Sequence, residues 1–474
     1  MRGSARGAGG PPPVALDYLL AEIWKACWRA GRSPHGGVIA PKLALAAALR
    51  GEPDQARTSA QDNNPAVAGV MDRMTRDMPG RVGSIDAIRG YAILAVVAVH
   101  CTEAARPESQ NFLNVLLNGS RGVQLFYMAS AFSMFLVLSR EPIEDLSDLR
   151  RFFVRRFVRL APMYWLAITI YLPLYGAGGY WSPNGVHWPD ILMNMLMIHT
   201  WWPEAANSVV PGGWSVGVEM TFYVLVPALV CLVRNVWMAA VLLAVAALGA
   251  YPLSEFVFGV YRGEGSSAPA SLIWMFAHGI SFPPQMPAFA AGILLFFMYR
   301  PGFRLPWLIS VPVILTSLGA MLFVSTDRGY YFDAWGTTWT FTDLTLFTLA
   351  MLPAVAAVIL CPALPLNNAV SRYIGKISYS IYLLHIVVMT TLNRGLGTLF
   401  GISVPQGNDA VYVMYTLSVI AICVALGSLT YALIEQPGIR AARRWARYPK
   451  NSVCPPMRNA SQTSRRGQFP GVIP

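Results

Sequence analysis

From Ile88 onward the sequence alternates long apolar stretches with short polar loops. The apolar stretches lie near 88–105, 122–139, 158–176, 215–233, 236–252, 286–299, 306–325, 343–361, 377–396 and 410–434. A helix rises about 1.5 Å per residue, so roughly 20 apolar residues cross a bilayer core of about 30 Å. The pattern therefore predicts an all-α polytopic membrane protein with ten transmembrane helices. An even number places both termini on one side. Two further apolar stretches fall short of a span. Residues 190–202 (DILMNMLMIHTWW) are predicted to lie in the interface or to re-enter. Residues 271–282 are read the same way, because Pro283, Pro284 and Pro287 break the run. No internal repeat is visible, which weighs against inverted-repeat transporter folds.

Composition narrows the class. Of 474 residues 55% are hydrophobic and 13% charged, where a soluble protein carries about a quarter charged. A single soluble globule, a disordered chain and a fibre are all poor fits. The net charge is +12, carried by 32 Arg and four Lys against 24 acidic residues. In a membrane protein that excess reads as cytoplasmic loops and contact with anionic lipid, not as nucleic-acid binding. The charges support the ten-span topology with both termini cytoplasmic. One side receives Arg140, Arg150, Arg151, Arg155, Arg156 and Arg159, then Arg300 with Arg304, Arg372 with Lys376, and the tail, which holds seven Arg and Lys450 after Ile439. The segment 177–214 carries no Arg or Lys and is rich in Trp, Pro and Gly, as suits an outer interface. The six Cys (27, 101, 231, 361, 423, 454) show neither a CxxC pair nor a disulfide framework and are expected as free thiols.

The domain reading is a variable, partly disordered N-terminal extension over 1–80, a transmembrane domain over 81–437 and a basic cytoplasmic tail over 438–474. Residues 14–30 could form an amphipathic helix on the membrane face, and Asp17, Glu22 and Lys25 rule out a signal peptide there. Met71, Met74 and Met78 stand just ahead of the first span as alternative starts.

Candidate chemistry sits where polar residues interrupt the spans. In the first span Asp86, Arg89, His100 and Glu103 fall within an arc of about 100°. Arg89 and His100 share a face, about 16 Å apart along the axis. An ionisable residue in a span is costly and is a functional candidate by default, and imidazole suits proton transfer near neutral pH. The plainer alternatives are a His hydrogen-bonded to a neighbouring helix and a His sitting at the outer interface. Ala129, Ser130, Ala131 and Ser133 in the second span permit close helix packing. The run RRFFVRRFVRLAPMYW sets topology or, if helical, aligns Arg151, Arg155 and Arg159 as an anion site for a phosphorylated substrate. In PGGWSVGVEMTFYVLVP the residues Ser215, Glu219 and Tyr223 line one side, and Glu219 needs a cation, a His or water. In YIGKISYSIYLLHIVV the residues Ser378, Tyr382 and His385 share a face, with His385 about two turns deep or simply a satisfied core His. Glu435 meets the inner interface at the end of the last span. No Walker loop, GxGxxG after a strand, HExxH or GxSxG is present. The six His do not pair at i, i+3 or i+4, so no metal is expected.

Five blocks in order, SIDAIRGYAILAVVAVH, RGVQLFYMASAF, RRFVRLAPMYW, GGWSVGVEMTFYVLVP and YIGKISYSIYLLH, resemble the integral-membrane acyltransferase-3 family of O-antigen and exopolysaccharide O-acetylases. The resemblance covers roughly 83–437, three quarters of the chain. The family's first-span Arg and His are matched by Arg89 and His100, its RxxR by Arg156 and Arg159, its WSLxxE-like element by Trp214, Ser215 and Glu219, and its late block by Ser378, Tyr379, Tyr382 and His385. Two departures are Ala131 where the family has Gly, and Met220 where it has a second acid.

The resemblance implies transfer of an acyl group, usually acetyl, from cytoplasmic acyl-CoA (acetyl-CoA) to a sugar hydroxyl at or beyond the membrane. That places the protein as a multi-pass enzyme of the bacterial inner membrane, in contact with lipid and a carbohydrate acceptor. His100 would be the general base and Glu219 would orient or charge-balance it. Arg89, Arg156 and Arg159 would hold the donor's phosphates, with Asp86, Trp214, Ser215, Tyr382 and His385 in support. The acceptor stays open among lipopolysaccharide, exopolysaccharide, peptidoglycan, a lipochitooligosaccharide and a small molecule. The competing readings are a transporter or flippase of a lipid-linked sugar or anion, and a non-catalytic scaffold. The enzymatic reading requires a pathway that joins an arginine-lined inner mouth to His100.

Overall fold

The computed structural model describes residues 82–263, 268–299, 303–327, 341–401 and 403–445. The expected N-terminal extension, its helix at 14–30 and the tail beyond 445 lie outside them. Every regular element among the described residues is helical, with no strand. The helices are α1 (Gly83–Ala104), α2 (Gln110–Leu117), α3 (Gly122–Leu138), α4 (Leu146–Tyr175), α5 (Trp188–Met195), α6 (Trp214–Leu232), α7 (Val236–Tyr261), α8 (Ala270–Met275), α9 (Met286–Met298), α10 (Trp307–Asp327), α11 (Phe341–Leu360), α12 (Ala369–Lys376), α13 (Ser378–Phe400), α14 (Asp409–Thr430) and α15 (Gln436–Trp445).

All ten expected stretches are helical. Among the described residues eight helical segments are long and apolar enough to cross a membrane, and nine if the bent pair α12–α13 is one span. The remaining stretch is α11, whose 344–360 portion is a shorter apolar helix. With no water in the bilayer core, a chain this apolar satisfies its backbone only by folding helix on helix.

Two local expectations change. The first concerns 271–282, read as an interfacial or re-entrant piece. It instead joins α9 in one 29-residue apolar helical segment, Ala270–Met298. A π-turn over Phe276–Ile280 and a 3-10 turn over Pro283–Gln285 carry the chain past the prolines, which stand at helix starts where their missing N–H is not needed. The second concerns the Arg-rich run after Arg150. It is no loop: it continues the third span as the 30-residue α4, capped by Asp145, whose side chain accepts from Asp148 N at 2.8 Å. Residues 190–202 hold only α5 and a 3-10 turn over His199–Trp201, in keeping with a segment that does not span. The described cysteines Cys101, Cys231, Cys361 and Cys423 are free.

The bundle is drawn tight by small residues. Gly292 of α9 lies over the Met128 carbonyl and beside Ala131, so the stripe 129–133 does serve close packing. The tightest junction joins α12 to α1. A Cβ on Gly375 would stand 1.7 Å from the Asp86 carbonyl oxygen, and one on Gly90 2.2 Å from the Ser371 carbonyl. No side chain fits there, so α12 is pressed backbone to backbone against α1, and the chain then bends by 73° into α13. This bend holds Gly375 and Lys376 beside the start of α1 and turns Tyr382 and His385 toward its far half. At that far end the loop after α1 is tied to the start of α14. Asp409 accepts from Glu108 N and Ser109 N at 2.7 and 3.1 Å, and Arg106 N donates to the Gln406 side chain at 2.8 Å.

Gly375→Val is expected to destabilise the bundle by about 3 kcal/mol, at the upper end of overpacking costs. Gly395→Val, where no atom lies within 4 Å, is expected to be neutral. Thermal unfolding of the two variants in detergent checks the contrast.

Candidate active site

Polar residues of six helices and of the π-turn Tyr431–Glu435 converge on one cavity of about 100 Å³. Its inner end is lined by Arg89, Arg159, Lys376 and Glu435, its middle by Glu219 and Tyr223, and its far end by Ser215, Tyr382 and Phe126.

Glu219 is the hub. Its Oε1 accepts from Ser130 Oγ at 2.5 Å and from Tyr223 Oη at 2.6 Å. Tyr223 is one turn further along α6, and Ser130 comes from the stripe that sequence reasoning had treated as packing alone. Of the cation, His or water that Glu219 was expected to need, arginines lie within electrostatic reach. Arg159 has Glu435, Glu219 and Asp86 within electrostatic reach. Arg89 donates to Ser133 Oγ at 3.2 Å and to the Ala129 carbonyl at 3.4 Å, with Asp86 at 3.9 Å. Asp86 and Glu435 are buried, and Glu435 accepts from Ser380 Oγ at 3.1 Å. Arg89, Arg159, Asp86, Glu219 and Glu435 each therefore have an opposite charge or a hydroxyl within reach, as low dielectric requires, whereas Lys376 lies over the Tyr431 ring at 5.3 Å.

The other cations of α4 are deployed separately. Arg151 pairs with Asp148 at 2.8 Å and Arg155 with Glu141 at 2.5 Å, so both are neutralised locally. Arg156 sits over the Phe152 ring at 5.6 Å and lines a neighbouring cleft of about 70 Å³ with Arg151 and Arg155. Arg156 and Arg159, adjacent in the sequence motif, thus face different spaces.

At the far end the Tyr382 hydroxyl donates to the Gly212 carbonyl at 3.0 Å and accepts from Ser215 Oγ at 2.9 Å. Trp214, buried at the first position of α6, and Ser215 fix this end of the helix. The loop before it is anchored by His199, whose Nε2 lies 3.0 Å from the Gly213 carbonyl and 3.2 Å from the Tyr164 hydroxyl.

Beyond Tyr382 stand two imidazoles. His385 lies 5.7 Å from the Tyr382 ring and 5.1 Å from the His100 ring, centroid to centroid. His385 Nδ1 is 2.6 Å from the Tyr382 carbonyl, which can only accept, so Nδ1 carries the proton. Its buried Nε2 is left as an acceptor with no hydrogen-bond partner among the described residues. His100 Nδ1 lies 2.8 Å from Glu103 Oε1, which assigns a proton to Nδ1 and leaves Nε2 basic. The carboxylate beside His100 is therefore Glu103, three residues on, and not Glu219. Neither imidazole lines the cavity. The expected pathway from the arginines stops at Tyr382: no open or hydrogen-bonded route among the described residues joins the cavity to His100, and only ring contacts lead on to it.

The geometry brings together Arg89, Arg159, Asp86, Ser215, Glu219 and Tyr382 around one space, and His385 with His100 just past it. Arg156 lines the adjoining cleft while staying within electrostatic reach of Glu219 and Tyr223. Tyr223, Ser130 and Glu103 belong to the constellation although they were not assigned to it from sequence. Tyr223 had shown itself by its i, i+4, i+8 spacing and Glu103 by its place on the first-span arc; Ser130 gave no signal. No group of three or more His, Cys, Asp or Glu among the described residues could hold a metal.

A multi-pass membrane protein with a buried, mixed-charge cavity is the class that fold and site define. Within that class, a family model described as "Acyltransferase domain" matches residues 82–428, and the chain belongs to this acyltransferase-3 family. The protein is accordingly an acyltransferase. It is similar to the acyltransferase MdmB of Streptomyces mycarofaciens, 25% identical over 390 residues that cover 77% of this chain and 93% of that one. A putative acetyltransferase of Acidianus two-tailed virus is 26% identical over 321 residues, 67% of this chain and 86% of that protein. A putative O-acetyltransferase of Staphylococcus aureus (strain MSSA476) is 23% identical over 399 residues, 77% of this chain, which spans only 58% of that longer relative.

Glu219→Ala, by stranding Arg89 and Arg159 in the bundle, is expected to cost about 3–5 kcal/mol of stability. Glu219→Gln, which still offers an acceptor to Ser130 and Tyr223, is expected to cost about 1–2 kcal/mol. Thermal unfolding of the purified variants separates the two.

Proposed function

We propose that this membrane acyltransferase moves an acyl group, acetyl in the simplest case, from a cytoplasmic acyl-CoA to a hydroxyl of a cell-surface or lipid-linked carbohydrate, as an O-acetyltransferase of a bacterial inner membrane. The observation that supports the reading is an arginine-lined cavity whose far wall, Tyr382, lies against His385 and, through it, His100. Similarity to proteins named as acetyl- and O-acetyltransferases supports acetyl as the group moved.

The donor fits in part. The cavity, of about 100 Å³, is read as the place of the acyl-thioester tip of the donor. The nucleotide end would stay at the inner mouth, where Arg159 and Arg89 face the pyrophosphate and Arg156, in the adjoining cleft, faces a further phosphate. Guanidinium forks suit that task.

The chemistry is then one acyl transfer. The acceptor hydroxyl oxygen attacks the thioester carbonyl, the C–O bond forms and the C–S bond breaks. His100 Nε2 takes the hydroxyl proton, and the proton ends on the thiolate, which leaves as free CoA thiol. Glu103 holds the imidazole in the tautomer that exposes Nε2 and stabilises its charged form. The hydroxyl protons of Tyr382 and Ser215 are held by the Gly212 carbonyl and by each other, so these residues keep the far end of the cavity in place. The reading requires the Tyr382 ring to turn aside, because it stands between the cavity and the imidazoles. Glu219 serves here by keeping the arginines in place and not as the partner of His100.

The test follows labelled acetyl from acetyl-CoA into glycan by the full-length protein. His100→Ala is expected to lower transfer by about 10²–10⁴-fold while thermal unfolding is unchanged, since the imidazole is 35% exposed. Full activity in that variant removes His100 from the reaction. Arg159→Ala is expected to raise KM for the donor and Glu103→Gln to lower kcat, a split that steady-state kinetics resolves.

A further inference from the structure

A run of four aromatic rings climbs from the bundle interior to the outer loop. Tyr171 is anchored on α13, its hydroxyl donating to Leu383 O at 3.0 Å and accepting from Val387 N at 3.0 Å, on either side of His385. Tyr175 lies parallel to it, with centroids 6.0 Å apart and planes at 12°. Tyr180 follows at 5.4 Å, and Trp181 lies parallel to Tyr180 at 5.9 Å and 4°. Tyr171 is buried, whereas Tyr175, Tyr180 and Trp181 are only partly covered and keep open surface.

The loop that holds these rings is built rigidly. Gly179 has φ +65°, and a Cβ there would stand 2.8 Å from the Ser208 carbonyl and 2.5 Å from Val186. Only glycine permits this conformation and this approach. The next residue, Tyr180, donates its N–H to Ser208 O at 2.8 Å, and Val186 N donates to Ala177 O at 2.7 Å. The rings are thus fixed before any ligand arrives. The Glu103 carboxylate of the first span lies within electrostatic reach of the Tyr180 ring.

An ordinary interfacial belt explains other aromatics of this face but not these. Trp188, Trp201 and Trp202 are 70%, 57% and 51% exposed, as anchors at a headgroup layer are. Tyr175, Tyr180 and Trp181 instead pack on one another over a rigid loop. A sugar ring has an apolar C–H face and a rim of hydroxyls. The parallel Tyr180–Trp181 pair, with Tyr175 tilted 57° to Tyr180 and phenol hydroxyls at the ring edges, matches both features. The absence of Arg and Lys from 177–214 suits an uncharged ring better than a phosphate.

We infer that Tyr175, Tyr180 and Trp181 form a stacking platform for a sugar ring of the acceptor, which holds the acceptor hydroxyl toward the His100–Glu103 pair. The inference rests on the proposed function and narrows it, since it locates the acceptor's binding site. A fixed platform orders the acceptor at little entropic cost.

The test uses membranes that carry the full chain, with native glycan as acceptor and labelled acetyl-CoA as donor. Tyr180→Ala and Trp181→Ala are each expected to raise the acceptor KM about tenfold, the size of one lost aromatic stack. Tyr180→Phe and Trp181→Phe restore it, and binding of labelled acetyl-CoA is unchanged in all four. An unchanged acceptor KM in both alanine variants overturns the platform. So does a wild-type acylated product that contains no sugar, which leaves acyl transfer itself standing. Wild-type protein that transfers no acetyl to any acceptor overturns the proposed function, and the platform with it.

Discussion

Charge inside a bilayer persists only where another charge or a hydroxyl meets it, and in this protein that constraint is concentrated on Glu219. Its carboxylate collects Ser130 from α3 and Tyr223 from its own helix, and it faces the arginines of α1 and α4. Removal of any member strands another in low dielectric. The helices that carry them are therefore held in one register, and the cavity among them is a product of that register. Asp86 and Glu435 complete the balance at the inner end, so two cations can be stored in the bundle without a bound anion.

The same constraint divides the site in two. Below Tyr382 the walls are charged and suit a phosphorylated donor with a thioester tip. Above it stand His385, His100 and Glu103, then the aromatic run toward the outer loop. Tyr382 is the boundary, held by Gly212 and Ser215 on one side and packed edge-on against Phe126 at 6.2 Å. Tyr382 thus separates the charged cavity from the imidazoles. The close junction of Gly375 with Asp86 and the bend after Lys376 set where this wall stands, so a backbone contact far from the imidazoles positions them.

Helical class, the location of the spans and most of the site were legible along the chain. Apolar runs of span length leave a helix bundle as the one solution in lipid, and ionisable residues within such runs are costly enough to mark themselves. Arg89, His100, Glu219 and His385 stood out for that reason. Ser130 and Ser133 did not. A serine in a run of small residues reads as packing, and it becomes a donor to a carboxylate or an acceptor from an arginine only when another helix brings that partner. The join between 271–282 and α9 was hidden for a related reason, since prolines that signal a break can stand at successive helix starts within one segment.

The sequence by itself determined that this chain lies in a membrane as helices, and which residues are too expensive to be there without purpose, because both follow from transfer of each side chain and peptide group into hydrocarbon. It also held the His100–Glu103 pair, which one turn of helix makes local. Tertiary structure alone decided the partnerships: Glu219 with Ser130, Tyr223 and the arginines, Arg156 in the cleft that adjoins the cavity of Arg159, and Tyr382 between cavity and imidazoles. Those depend on how helices distant in the chain rotate and approach one another, which is set by packing at glycine contacts and by the collective neutralisation of buried charge, and neither is written in any single segment.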